Sequence, residues 1–308
     1  MTSVRLLTTV GPLSPEMASA VHDLVATCTS STGISPISEQ PLLWLSDPRA
    51  HVAHIIAVRN NTLVGYGQAD LSHVDEVTLE LAVIDDPHTP PEEVDHVSDD
   101  IIAAGKIVAE HNNAIFSVWV HGAHSPLAHR LPHNGYQPVR TLLRKERSLA
   151  SFSSPTHEDV NHFTVRTFKT NQDEDSWLAA NTQAFSWHPE QGNLTRADLT
   201  ARMNEPWFNP ETFLVVDSID RPHALDGFSW LKIAENTVGE IYALGVVPHV
   251  QGRGLATLLV EESLKVLQRH NCTHADLYVE ADNHAANRLY DRFGFVEVER
   301  HVKFQQTQ

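Results

Sequence analysis

The sequence predicts an α+β protein built as two tandem domains of one plan, each a mixed, mostly antiparallel sheet flanked by helices. Three observations carry this expectation. The chain has 308 residues, about twice the ~150 residues of an ordinary domain. Four landmarks recur in the same order in both halves. They are Val4-Arg5 and Val165-Arg166, Gly65-Tyr66 and Gly227-Phe228, Leu81-Ala82-Val83 and Leu244-Gly245-Val246, and Gly135-Tyr136 and Gly294-Phe295. A near-constant spacing over separate landmarks marks a repeat. Finally, each half reads as meander strands followed by a strand–helix–strand crossover, the pattern of a mixed sheet.

The polar, Ser-rich stretch 148–163 is the expected linker, which gives domains 1–150 and 151–308. Each half is expected to begin helical. In the second half TFLVVDS, ALDGFSWLKIA and VGEIYALGVV are β-branched or apolar runs bounded by turn residues, and read as strands. Residues 253–270 read as a helix with Leu255, Leu258, Leu259 and Val266 on one face. ADLYVEA is the next strand, 284–293 a short helix, and FVEVERHVKF the last strand.

Composition excludes several classes of function. Lys and Arg number 22 against 39 Asp and Glu, a formal net charge of −17. Such a surface repels phosphate backbones, so nucleic acid and anionic membranes are not expected partners. Two cysteines, Cys28 and Cys272, are too few for a disulfide framework. The twenty histidines lack metal-ligand spacing, and no metal is expected. The N-terminal MTSVRLLTTVGPLSPEM has no long apolar core of a signal peptide, and no run approaches a membrane span. A monomer in a reducing cytoplasm is the expectation.

The sharpest local feature is Gln251-Gly252-Arg253-Gly254-Leu255-Ala256, between an expected strand and an amphipathic helix. Glycines let the backbone curl so that N–H groups converge, and the helix N-terminus adds partial positive charge. Arg253 adds a full one. The segment is neither a Walker loop nor a Rossmann fingerprint. It reads as a diphosphate cradle, with a plain Gly-rich turn before a helix as the alternative.

Residues 246–256, VVPHVQGRGLA, resemble the acyl-CoA-binding motif of the GNAT N-acetyltransferase superfamily, [Gln/Arg]-x-x-Gly-x-[Gly/Ala]. ADNHAANRLYDRFGF at 281–295 resembles that superfamily's second signature. The stretches 185–211, 227–233, 239–248 and 277–283 together are similar to the mycothiol synthase family, as is GISPISEQ at 33–40. That family consists of tandem acetyltransferase domains that acetylate the cysteinyl amine of a cysteinyl-glucosaminyl-inositol, a thiol pseudo-disaccharide, with acetyl-CoA as co-substrate.

The resemblance implies roles residue by residue. Glu240 takes the ammonium proton, where an exposed strand carboxylate is the plain alternative. Tyr290 protonates the leaving thiolate, where a core aromatic is the alternative. Leu244, Gly245 and Val246 offer backbone groups to the acetyl carbonyl and the pantetheine arm, a strand bulge freeing the N–H of Val246 as oxyanion donor. Gln251, Gly252, Arg253, Gly254, Leu255, Ala256 and Thr257 hold the diphosphate. Asn283, His284, Ala285, Ala286, Asn287 and Arg288 hold the rest of coenzyme A, and Asn283 also reads as a helix N-cap. Glu39, Glu190, Lys232, Glu240 and Tyr278 contact the acceptor.

The first half departs from this pattern. Leu81, Ala82 and Val83 are implied as contacts of a second acetyl-CoA site, but IDDPHTPPEEVDHV follows them. No glycine occurs between Gly67 and Gly105, and Asp85, Asp86, Glu92, Glu93 and Asp95 crowd the loop. That is a poor place for a diphosphate. His124 stands for Asn283 and Leu131 for Tyr290, so the first domain is expected to carry out no transfer. Two other readings stay open: the same chemistry on another amine, such as a protein N-terminus, and a non-catalytic acyl-CoA sensor.

Overall fold

The computed structural model describes residues 4–85, 89–150, 152, 163–186, 191–218, 220–233 and 237–306. Most of the expected linker therefore lies outside the described residues. The chain divides into two compact units. One comprises Met1–Leu143, Glu280–Asp282 and Glu299–Gln308, the other Arg144–Val279 and Asn283–Val298.

The elements run β1 (Arg5–Val10), α1 (Pro15–Thr32), α2 (Glu39–Leu43), β2 (Val52–Arg59), β3 (Thr62–Asp70), β4 (Glu76–Val83), α3 (Pro91–His111), β5 (Ile115–His121), α4 (Pro126–His133) and β6 (Tyr136–Ser148). They continue as β7 (Val165–Thr167), α5 (Glu174–Ala184), α6 (Arg196–Met203), β8 (Phe213–Asp217), β9 (Leu225–Ile233), β10 (Val238–Val246), α7 (Leu255–Arg269), β11 (His274–Glu280), α8 (His284–Arg292) and β12 (Val296–Gln306). The two series match element for element. Each half opens on a strand rather than a helix: β1 and β7 are antiparallel additions to β2 and β8. Every residue of β1 retains some exposure and β7 has three residues, so neither strand leaves an alternating pattern that would reveal it.

In the first unit β1 to β4 are antiparallel neighbours, and β4 runs parallel to β5. Residues 301–305 of β12 pair antiparallel with β5. Helix α3 packs one sheet face, and α1 buries Val21, Leu24 and Val25 against the other. In the second unit β7 to β10 are antiparallel, and β10 runs parallel to β11, with β6 beside β11.

Helix α7 buries Leu255, Leu259, Val260, Leu264, Val266 and Leu267, while Leu258 is half-buried. It lies so close to the sheet that a Cβ on Gly239 would sit 2.3 Å from the Leu267 side chain. The other face carries an aromatic core. Phe213 stacks on Phe168 and on Trp230, both at 4.4 Å, and Trp177 meets Phe213, Phe228 and Trp230 edge-on. Such pairs add to the area their large rings bury.

Leu259 of α7 is fully buried against the sheet. Leu259→Ala is expected to destabilise the second unit by about 3 kcal/mol, read as a lowered midpoint in urea denaturation followed by tryptophan fluorescence.

Candidate active site

Strand β10 builds the site because it leaves its neighbour. Its parallel register with β11 runs over four positions, Val238–Ile241 against His274–Leu277. Beyond Ile241 its register continues on the β9 side, to Val246↔Gly227. A bulge falls between Ile241 and Ala243, so Tyr242 is the extra residue. The bulge lies four residues upstream of Val246, where sequence reasoning had associated it with that residue's freed amide. Val247 N–H donates to the Asp226 carbonyl at 3.0 Å, toward β9. Backbone groups alternate along a strand, so the amides of Val246 and Leu244 point the other way, into the divergence. The Val246 carbonyl on that side accepts from Gln251 Nε2 at 3.0 Å, which ties the following loop to the strand end.

That loop suits an anion. Gly252 and Gly254 take φ of 76° and 84°, the left-handed region that glycine enters without steric cost. Gln251, Gly252, Arg253 and Gly254 are exposed. Gly254 is the N-cap of α7, and no side chain caps the helix. The first-turn amides of Leu255, Ala256 and Thr257 therefore face outward with the positive end of the helix dipole.

Helix α8 follows β11. Asn283 is its N-cap, Oδ1 accepting from the Ala286 amide at 3.1 Å, and His284, Ala285, Ala286, Asn287 and Arg288 form its opening turns. Tyr290 is buried, edge-on to Phe295 at 5.8 Å. Burial pushes its phenol up to about 12, so the hydroxyl keeps its proton at neutral pH. Both readings of Tyr290 and of Asn283 coexist with this geometry.

Glu240 lies in register with Lys232 of β9 and with Asp276 of β11. Because Gly239 faces α7, Glu240 and these partners face the opposite side of the sheet. Asp276 is buried, and Arg144 holds its Oδ2 through Nε and Nη2 at 2.9 and 2.8 Å. Desolvation nevertheless leaves the Asp276 carboxyl above its ordinary range. Tyr278, two residues on, shares this face and is 43 % exposed. The structure thus brings Lys232, Glu240 and Tyr278 to one face of the second unit. Glu190 lies outside the described residues. Glu39 is in the first unit, as the first residue of α2.

Sequence reasoning missed four side chains on this face: Asp276, Arg202, Trp207 and Tyr242. Trp207 and Tyr242 flank the Lys232 ammonium, at 4.9 and 5.6 Å from the ring centroids. Their trace in sequence was the aromatic content of MNEPWFNPE and GEIYALG, which reads equally as core.

The first unit repeats the topology with different residues at the corresponding places. Strand β4 diverges from β5 after Leu79↔Val118, yet its register with β3 runs on unbroken, with no bulge. Glu80, beside the divergence, accepts from the Ser38 amide and hydroxyl at 2.6 and 2.7 Å and pairs with His121 at 2.9 Å. Leu81 and Ala82 are buried, and the Val83 carbonyl takes the Cys28 thiol at 3.4 Å. Helix α3 has Pro90 as N-cap and Pro91 at its first position, then Glu92 and Glu93. Proline has no N–H to offer, and the carboxylates oppose an anion. Asp86 lies outside the described residues.

Comparison with known proteins agrees with this architecture. Residues 175–295 match the family model described as Acetyltransferase (GNAT) family. A solved tandem GNAT protein from the clavulanic acid biosynthesis pathway superposes with TM-score 0.71 over 98 % of each chain at 14 % identity. A GCN5-related N-acetyltransferase from Sphaerobacter thermophilus gives 0.67 at 22 % identity, over 97 % of this chain and 95 % of that one. Both likenesses concern fold. A mycothiol acetyltransferase of Jonesia denitrificans is 39 % identical over 99 % of this chain and 96 % of its own length. The chain belongs to the mycothiol acetyltransferase family. The Streptomyces coelicolor member is 35 % identical over 97 % of this chain and 95 % of its own. As in a family of tandem acetyltransferases, both units here carry the GNAT plan, and the family-model match falls on the unit with the glycine loop.

The raised Tyr290 pKa makes a stability prediction for this mycothiol acetyltransferase family member. A phenol raised on folding contributes stability that is complete below about 10 and is lost as pH climbs toward about 12. Tyr290→Phe is expected to lose about 2–3 kcal/mol less than the parent chain between those limits, measured by urea denaturation across alkaline pH.

Proposed function

We propose that this chain transfers the acetyl group of acetyl-CoA to the cysteinyl amine of 1-D-myo-inositol 2-(L-cysteinylamino)-2-deoxy-glucopyranoside, giving mycothiol, and that the chemistry belongs to the second unit. One observation carries the reading: the strand bearing Glu240 ends in an exposed, uncapped helix N-terminus behind two left-handed glycines.

In this reading Gln251 to Thr257 hold the diphosphate of acetyl-CoA and Asn283 to Arg288 the rest of the nucleotide. The pantetheine arm runs along Leu244, Gly245 and Val246, where the amides turned away from β9 meet the thioester oxygen. Glu240 takes a proton from the acceptor ammonium, directly or through water. An α-amino group titrates near about 8, so deprotonation at neutral pH asks little of a nearby carboxylate. The amine nitrogen attacks the thioester carbon, and negative charge gathers on its oxygen, facing an amide of β10. The attacking nitrogen gives up its second proton to water, the intermediate collapses with cleavage of the carbon–sulfur bond, and the Tyr290 hydroxyl gives its proton to the departing thiolate and is reprotonated from water. The amide and free coenzyme A are the products. Lys232 donates to acceptor oxygens, while Glu190, Glu240 and Tyr278 accept from its hydroxyl and ammonium groups.

The first unit, with prolines and glutamates where α7 offers amides, binds no second diphosphate in this reading. The chain works as a monomer in the cytoplasm, with neither nucleic acid nor membrane as partner. Its negative charge supports the last point, and among the described residues no helix is long and apolar enough to cross a membrane.

The purified chain incubated with acetyl-CoA and the cysteinyl acceptor is expected to give the N-acetyl product by mass spectrometry. A higher kcat/KM on a peptide N-terminus than on this acceptor would reassign the substrate, and binding without turnover would make the chain a sensor. Glu240→Gln is expected to lower kcat/KM at neutral pH by about 10²–10⁴. Gly254→Val, which forces a β-branched residue into φ 84°, is expected to raise KM for acetyl-CoA at least about tenfold. Titration calorimetry is expected to find one acetyl-CoA site per chain. Two equivalent sites would refute the assignment of a silent first unit.

A further inference from the structure

The second unit sets two aromatic rings around Lys232 to which the proposed reaction gives no role. Lys232 Nζ lies 4.9 Å from the Trp207 ring centroid and 5.6 Å from that of Tyr242. The two rings meet at 5.1 Å, inclined by 51°, and both lean on the fully buried Trp230, at 5.6 and 5.5 Å. Tyr242 is fixed at its far end as well. Its hydroxyl accepts from Arg202 Nε at 2.8 Å, and Arg202 is buried, donating through Nη1 to the Asp198 carbonyl at 3.1 Å. Tyr242 is the bulge residue of β10. The extra residue places Tyr242 and Ala243 together against Trp230, so the bulge sets the ring as well as the backbone.

Two inclined ring faces attract a cation, because each presents the negative side of its quadrupole. A lysine ammonium on a four-carbon stem otherwise samples many rotamers, and ordering it on ligand binding costs entropy. Held between Trp207 and Tyr242, in register with Glu240, the ammonium is ordered before any ligand arrives. We infer that Trp207 and Tyr242, braced by Arg202, are positioning residues that set the Lys232 ammonium as a fixed hydrogen-bond donor for the oxygen atoms of a polyhydroxylated acceptor, and so determine acceptor selectivity. The inference rests on the proposed role of Lys232 at the acceptor. Core packing alone does not account for it, since a packing pair needs neither the cation between the rings nor the buried arginine on the phenol.

Steady-state kinetics with acetyl-CoA and the cysteinyl-glucosaminyl-inositol acceptor test it. Trp207→Leu and Tyr242→Leu are each expected to raise the acceptor KM about tenfold while acetyl-CoA KM stays within about twofold. Tyr242→Phe keeps the ring and loses the Arg202 bond, and is expected to change the acceptor KM by about threefold. In a Lys232→Met background, Trp207→Leu is expected to have less than about a twofold further effect, because the seat acts through the ammonium. A full tenfold effect in that background overturns the inference, as does an equal rise in both KM values. If the parent chain yields no product from this acceptor, the proposed substrate and this inference both fall. If the parent chain is active and the two substitutions multiply, the inference falls alone.

Discussion

The parting of β10 from β11 is the constraint on which the second unit depends. Two parallel strands that stay paired consume each other's amides and carbonyls. Here the pairing lasts four positions and then stops, leaving polar backbone along the line where the strands part. The bulge at Tyr242 works at the same point. It reverses the alternation, so that Gly245 rather than Leu244 faces the aromatic core, where a Cβ would lie 2.6 Å from the Phe228 ring. Gln251 secures the far end by bonding the Val246 carbonyl. One strand thereby presents a carboxylate at its start, backbone donors at its end and an open helix N-terminus just beyond.

The first unit shows how little of this follows from topology. Its strands have the same order and the same short parallel register. What differs is local chemistry. Its β4 has no bulge, a carboxylate held by Ser38 and His121 sits beside the divergence, and the helix that follows begins Pro-Glu-Glu. A fold supplies places, and side chains and free amides at those places supply function. Two copies of one fold in a single chain make the contrast direct, because length and topology are shared and the residues are not.

Aromatic burial links stability to the site. Trp230 lies in the core between Phe213 and Trp177, and also supports Trp207 and Tyr242 at its edge. The same ring therefore stiffens the sheet and sets the surroundings of Lys232. A rigid support of this kind lowers the entropy that a long, charged side chain surrenders when it engages a ligand.

Much of the plan was legible in the residues themselves. The repeated landmarks and the strand runs disclosed tandem α+β domains because hydrophobic periodicity is local, and the loop around Gly252 and Gly254 was legible because positive φ next to a helix start is a demand that glycine meets by itself. The opening strands escaped notice because β1 and β7 bury too little to leave a pattern. The bulge at Tyr242 and the side-by-side placement of Glu240 and Asp276 needed the tertiary structure. Register between strands distant in sequence is set by packing of whole faces, and nothing in a strand's own residues records which partner it meets. Trp207, Arg202 and Lys232 likewise come from separate elements. The sequence contains each residue, and the closing of α6 and its following turn over the sheet decides that they meet.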